Sequence, residues 1–296
     1  MTERAVSRLI KNNPFVRKSL ALSRQVPRAY LRFNATAEDY LRQPPALANS
    51  VPKSGTHLLL QVLQGLPATT HYGSFIASTP PLTFRERSEG NHLRLIRALA
   101  PGEICPAHLF YSDSFEVALD RLNCVHYIIY RDPRDVVVSE AHYLAEMTWW
   151  HRMHKYIKQI HDPAEQISRA ILGFNSSNAD FPYDYPDVAQ RFSRYLGWVR
   201  NTNVFAIRYE DLIGPNLKAL LGNIAVRYFE RSTQSHKVEE TVEAMLANIN
   251  PEKSHTFREG KAGGWKKVFT ERHKTQMKDV AGQLLIDLGY EKDLNW

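Results

Sequence analysis

Cysteine is scarce in this chain: Cys105 and Cys124 are the two among 296 residues. One pair leaves no disulfide framework and no multi-cysteine zinc site, and it fits a reducing compartment. No metal site is expected. Long apolar runs are missing as well. The strongest, residues 58–63, falls far short of the roughly 20 residues that cross a bilayer. The opening MTERAVSRLIKNNPF has no continuous apolar stretch, which argues against a cleaved secretory signal. A cytoplasmic protein is therefore expected. Fourteen glycines and sixteen prolines are too few for a collagenous or linker-dominated chain. There is no internal repeat and no low-complexity tract. What is left, at 43% hydrophobic and 23% charged residues, is an ordinary globular composition, long enough for one large α/β unit with a sizeable core.

The net charge of +7 is unevenly placed. Residues 1–37 hold Arg4, Arg8, Lys11, Arg17, Lys18, Arg24, Arg28 and Arg32 against Glu3 alone, and the remaining chain balances to zero. The basic character belongs to an N-terminal arm, so nucleic-acid binding by the body is not expected. Residues 1–45 read as this arm and residues 46–296 as the domain. Pro14 and Pro27 bracket a helix in the arm, and Pro44-Pro45 ends it. The arm has three readings: a solvated or docked helix, a basic amphipathic contact to an anionic membrane through residues 1–37, or a transit peptide.

From Ala46 the pattern becomes α/β. A short apolar stretch, residues 46–51, enters a turn, and HLLLQVLQGL follows as a buried helix stopped at Gly65. Residues 67–101 read as loop and polar helix. Residues 125–130 form a six-residue apolar run, the mark of a strand buried on both faces. Residues 204–208 read as another strand. Residues 215–228 and 271–288 read as helices, the second capped by Thr270. Alternating strands and helices predict a three-layer α/β fold with a central parallel sheet flanked by helices.

Two motifs carry chemistry. In Val51-Pro52-Lys53-Ser54-Gly55-Thr56-His57 a strand enters a tight glycine turn and a helix follows. Backbone N–H groups at such a start bind anions, and Lys53 and Thr56 add donors. The Walker A pattern is absent, because the Lys precedes the Gly. In Arg131-Asp132-Pro133-Arg134-Asp135-Val136-Val137-Val138-Ser139, Arg131 leaves the end of a buried strand, where open α/β sheets bind ligands. Ser139 lies about two helical turns on. The plainer reading pairs Arg131 with Asp132 or Asp135.

Together with Arg208-Tyr209-Glu210-Asp211-Leu212 and the segment FREGKAGGWK at 257–266, these motifs resemble, in order, those of sulfotransferases that use 3′-phosphoadenosine 5′-phosphosulfate (PAPS). The resemblance covers about residues 46–290. It implies a P-loop-type fold and sulfuryl transfer from PAPS to a hydroxyl acceptor, leaving 3′-phosphoadenosine 5′-phosphate (PAP), without a metal. It assigns Lys53 to the bridging oxygen between sulfate and phosphate. Ser54, Gly55, Thr56 and His57 go to the 5′-phosphate, and Arg131 and Ser139 to the 3′-phosphate. Arg258, Glu259 and Gly260 close over that phosphate, and Tyr209 lies beside adenine.

His108, in Pro106-Ala107-His108-Leu109, stands at the place of the family's catalytic His and is the candidate general base. Its plainer reading is a structural His. Pro106 replaces a family Lys, Leu58 replaces a Trp that stacks on adenine, and Glu259 replaces a Lys. His142, Trp149 and Trp150 are the candidate acceptor-side residues, in an aromatic and Met-rich stretch that also includes Met147, Met153 and Tyr156. A lipophilic, aromatic or carbohydrate small molecule is the expected acceptor, and residues 173–185 read as a loop over the site. A kinase on a related P-loop fold and a non-catalytic nucleotide-binding protein at a membrane surface are the competing readings.

Overall fold

The structure is a computed structural model, and it describes residues 14–147, 151–176, 184–250 and 262–296. Five parallel strands form its centre: β1 (Ala46–Ser50), β2 (Ile76–Ala77), β3 (Ile104–His108), β4 (Val125–Tyr130) and β5 (Phe205–Arg208), in the order β2-β3-β1-β4-β5. β1 is the middle strand and is buried along its whole length. β4 has the bounds its apolar run predicts, because a strand covered by helices on both faces needs no polar positions.

The helices divide between the two faces. Leu59, Val62 and Leu63 of the helix Thr56–Leu63 pack with Tyr127, Ile129, Leu221 and Ile224 on one face. On the other, Leu47 and Ile128 pack with Val136, Val137, Trp198 and Leu285. The expected three-layer α/β architecture is present. The helices Leu217–Phe229 and Glu271–Asp287 lie within two residues of their predicted bounds. Thr270 caps the second in a reciprocal capping box with His273.

β3 is absent from the sequence reading, for a reason visible in its ladder. The Ile104 N–H donates to the Thr70 carbonyl, and the Ser78 N–H donates to the His108 carbonyl. Even-numbered positions of β3 thus face the edge, where β2 is two residues long. The missing N–H of Pro106 falls on that side and costs the ladder little.

The N-terminal region corrects the expected punctuation. One helix, Pro14–Asn34, runs through Pro27 instead of ending there. It also docks on the domain. Arg28 Nε lies 2.8 Å from both oxygens of the fully buried Glu103, and an Arg28 Nη donates to the Ala98 carbonyl. Gln25 donates to the Tyr72 carbonyl and Arg32 to the Arg97 carbonyl. No helix among the described residues is long and apolar enough to cross a membrane.

Candidate functional site

The carboxyl ends of β1, β3 and β4 meet at one cavity of about 1070 Å³. Its wall includes Lys53, Gly55, Thr56 and His57 after β1, His108 at the end of β3, and Arg131 and Ser139 after β4. This is where an open parallel sheet leaves a crevice.

The loop after β1 is tight. The Ser54 N–H donates to the Val51 carbonyl at 3.2 Å. Lys53 has φ +67°, a left-handed conformation that costs a non-glycine residue energy and tends to persist at functional turns. Gly55 has φ +102°, and a Cβ there would stand 2.6 Å from Cδ2 of Tyr209. A side chain is excluded on both counts. The Thr56 hydroxyl lies 2.7 Å from that of Ser50, which locks the first helical turn to the end of β1. Ser54 differs from its neighbours. It is fully buried, does not line the cavity, and its hydroxyl finds no partner among the described residues.

Lys53 points its ammonium at the face of Tyr143, with Nζ 3.7 Å from the ring centroid. Tyr143 begins a π-helical turn, Tyr143–Met147, that follows the helix Pro133–His142. Burial pushes the Lys53 pKa down to about 8. The charge of Arg131 pushes the same way, and Glu140 opposes both.

Arg131 is held from two sides. Its guanidinium lies over the Tyr209 ring, 4.6 Å from the centroid, and Nη2 donates to Asp135 Oδ2 at 3.1 Å. Asp135 is itself buried and accepts from the Gly263 N–H at 2.8 Å and the Trp265 N–H at 2.9 Å. The plainer sequence reading, a pair between Arg131 and Asp135, is therefore present, and the same arginine still lines the cavity. Asp132 caps the helix through the Arg134 N–H and grips the Arg134 side chain. The sequence reading offered Asp135 as a partner of Arg131 and missed its bonds to the Gly263 and Trp265 N–H groups, which come from a segment some 130 residues away.

His108 Nδ1 lies 3.0 Å from the Ser50 carbonyl oxygen. The Ser50 hydroxyl lies at the same 3.0 Å from Nδ1; the carbonyl can only accept, so the tautomer with hydrogen on Nδ1, which leaves the Nε2 lone pair free, satisfies the carbonyl contact. The edge of Phe75 packs against the ring at 5.1 Å. Burial pushes the His108 pKa down to about 4, aided by Lys53 and His57 and opposed by the bond to Ser50. The imidazole is neutral at pH 7.

Tyr209 is buried and lines the same cavity. The lining also carries six aromatic residues: Phe75, Phe84, Phe110, Tyr143, Tyr185 and Tyr195. The structure does not bring His142 there. Its ring pairs with Glu146 at 3.4 Å, off the cavity wall, although a spacing of three puts it near the helix face of Ser139. Met153 and Tyr156 are core residues, packed with Leu144, Ile157 and Phe174. Trp149, Trp150, Arg258, Glu259 and Gly260 lie outside the described residues, as does most of the loop expected over the site. No group of three or more His, Cys, Asp or Glu arranged to hold a metal occurs among the described residues.

A family model described as a sulfotransferase domain matches residues 43–289. No curated protein matches the chain. Among solved structures, a mouse sulfotransferase, SULT7A1, complexed with PAP superposes with TM-score 0.56 at 18% identity, over 86% of this chain and 89% of that one. Retinol dehydratase in complex with androsterone and inactive cofactor PAP gives 0.54 at 16% identity, over 88% and 86%. Retinol dehydratase with retinol and PAP gives 0.53 at 15% identity, over 90% and 86%. At these identities the superpositions speak to the fold.

Proposed function

The chain belongs to the sulfotransferase domain family, and we propose that it carries a sulfuryl group from PAPS to the hydroxyl of a lipophilic, aromatic or carbohydrate small molecule. The observation that carries this reading is one cavity lined by a loop lysine, a strand-end arginine and a neutral histidine, from three adjacent strands. PAP in the solved relatives agrees with that donor. The residues present fit such an anion. Lys53, Thr56, His57 and the start of their helix would hold the 5′ end, with the backbone of Ser54 and Gly55. Arg131 and Ser139 would hold the 3′-phosphate, and Tyr209 would lie beside adenine. Arg258, Glu259 and Gly260 join this set by the family resemblance.

When bound, PAPS supplies an activated sulfuryl group on a phosphate leaving group. The chain's own residues do the rest. In the tautomer with hydrogen on Nδ1, bonded to the Ser50 carbonyl, His108 takes the acceptor's hydroxyl proton at Nε2. Lys53 offers its positive charge where negative charge grows on the leaving side. It is pre-positioned on Tyr143 and partly desolvated, so little reorganisation is needed. Arg131 is fixed by Asp135 and Tyr209 before any ligand arrives, which lowers the ordering cost of binding. The aromatic part of the lining suits an apolar acceptor body.

Calorimetry tests the donor site: PAP should bind far more tightly than ATP, and Lys53→Ala and Arg131→Ala should each weaken it. Turnover of labelled PAPS on a panel of alcohols, with His108→Ala as control, tests the transfer. A preference for ATP in a folded sample would overturn the reading in favour of a kinase. PAP binding without turnover on any acceptor would favour a silent binder.

A further inference from the structure

We propose that the outward face of the helix Pro14–Asn34 is a docking surface for an anionic lipid bilayer. The helix is mounted with its polar side inward. Gln25, Arg28 and Arg32 all bond to the domain, Arg28 to the buried carboxylate of Glu103. The opposite side carries Val26, Tyr30 and Phe33 at 70%, 71% and 89% exposure. Their spacing of four and three residues places them on a single stripe. A helix resting on a globular domain normally turns its apolar stripe to the core. Here Arg28 and Arg32 take that position, and Val26, Tyr30 and Phe33 face water.

Charge and size select the occupant. Residues 1–37 carry a net +7, and Arg24 is exposed on the same helix. A second copy of the chain would set this charge against its like. The three side chains are also far short of the roughly 1,200 Å² that a stable protein interface buries. An anionic bilayer meets both features: the apolar stripe enters the acyl boundary, and the cations of the arm that do not bond to the domain stay among the headgroups.

The mounting ties this surface to the cavity. The Tyr72 carbonyl, held by Gln25, is flanked by His71, Gly73, Ser74 and Phe75 of the cavity wall. Glu103, held by Arg28, also accepts from the Ser74 hydroxyl. A docked helix thus fixes the cavity wall relative to the lipid, which is where a lipophilic alcohol is concentrated. That last link rests on the acceptor proposed above; the docking itself does not.

The experiment is co-sedimentation of the full chain with phosphatidylcholine vesicles, with and without phosphatidylserine. We expect about tenfold stronger binding to the anionic vesicles, reversed by salt. The triple variant Val26→Ser/Tyr30→Ser/Phe33→Ser should lose it while keeping its melting temperature and PAP affinity, since these side chains pack against little. Arg24→Glu should weaken it with the stripe intact. Failure of the wild type to bind anionic vesicles overturns the proposal, and so does a triple variant that binds as well as the wild type. A dimer in sedimentation velocity that the triple variant dissolves would assign the stripe to a second copy and equally overturn it. Loss of PAP binding alone would count against the proposed reaction and leave the vesicle result standing.

Discussion

The Lys53 ammonium sits 3.7 Å from the centre of the Tyr143 ring, so the residue given the central catalytic charge is held by an aromatic face that no motif contains. The ring orients Lys53 without neutralising it. A desolvated contact of this kind contributes up to about 2 kcal/mol. Tyr143→Phe should keep kcat/KM within about twofold, and Tyr143→Leu should lower it about tenfold. Equal rates for Tyr143→Leu and wild type would remove the ring from the account.

Removing the charge itself is more severe. Lys53→Ala should cost about 10²–10³ in kcat, the usual loss of one preorganised donor. Arg131→Ala should act mainly on binding, weakening PAP by about 10- to 100-fold, as loss of charge-assisted hydrogen bonds does. Calorimetry beside steady-state kinetics separates the two.

The pH profile follows from two depressed pKa values. In the proposed reaction His108 acts in its neutral form, and burial lowers its pKa to about 4. Lys53 acts there in its charged form, and burial lowers its pKa to about 8 in the free enzyme. The kcat/KM profile should therefore hold level between about pH 5 and pH 7, fall below that range as His108 protonates, and fall above about pH 8 as Lys53 deprotonates. Lys53→Arg should move the alkaline limb upward whatever it does to the rate, because a guanidinium keeps its charge. An alkaline limb that stays in place in that variant would mean another group sets it.

Gly55→Ala should destabilise the fold by about 1–3 kcal/mol, from its positive φ and from the approach of Tyr209. Adding Tyr209→Ala should relieve the contact and leave the backbone cost, so the double variant should recover only part of the loss. Denaturant unfolding measures both.

Arg28→Ala would leave the buried Glu103 carboxylate without its cation, at a cost of about 3 kcal/mol. Arg28→Ala/Glu103→Gln should recover part of it, because no charge is then stranded. If Arg28→Ala unfolds at the same denaturant concentration as wild type, the N-terminal helix is not part of the folded unit.

The sequence by itself determined the parallel sheet and its anion loop. Five apolar residues and His126 at 125–130 need cover on both faces. A Lys-Ser-Gly-Thr turn between a strand and a helix creates donors that point at one spot. Local patterns of this kind are written in consecutive residues, so they are legible. β3 was not, because Pro106 in ICPAH is tolerated only where the neighbouring edge strand is short, and that depends on a chain segment 30 residues away. The placement of His108 against Ser50, of Asp135 beneath Arg131, Gly263 and Trp265, and of Tyr143 under Lys53 belongs to tertiary structure for the same reason. So does the separation of His142 from the cavity, which three residues along a helix from Ser139 could not reveal without the direction of the helix. The basic arm shows the division most plainly. Its composition announced a charge, and only the packed structure decided that Arg28 turns inward to Glu103 while Val26, Tyr30 and Phe33 face outward.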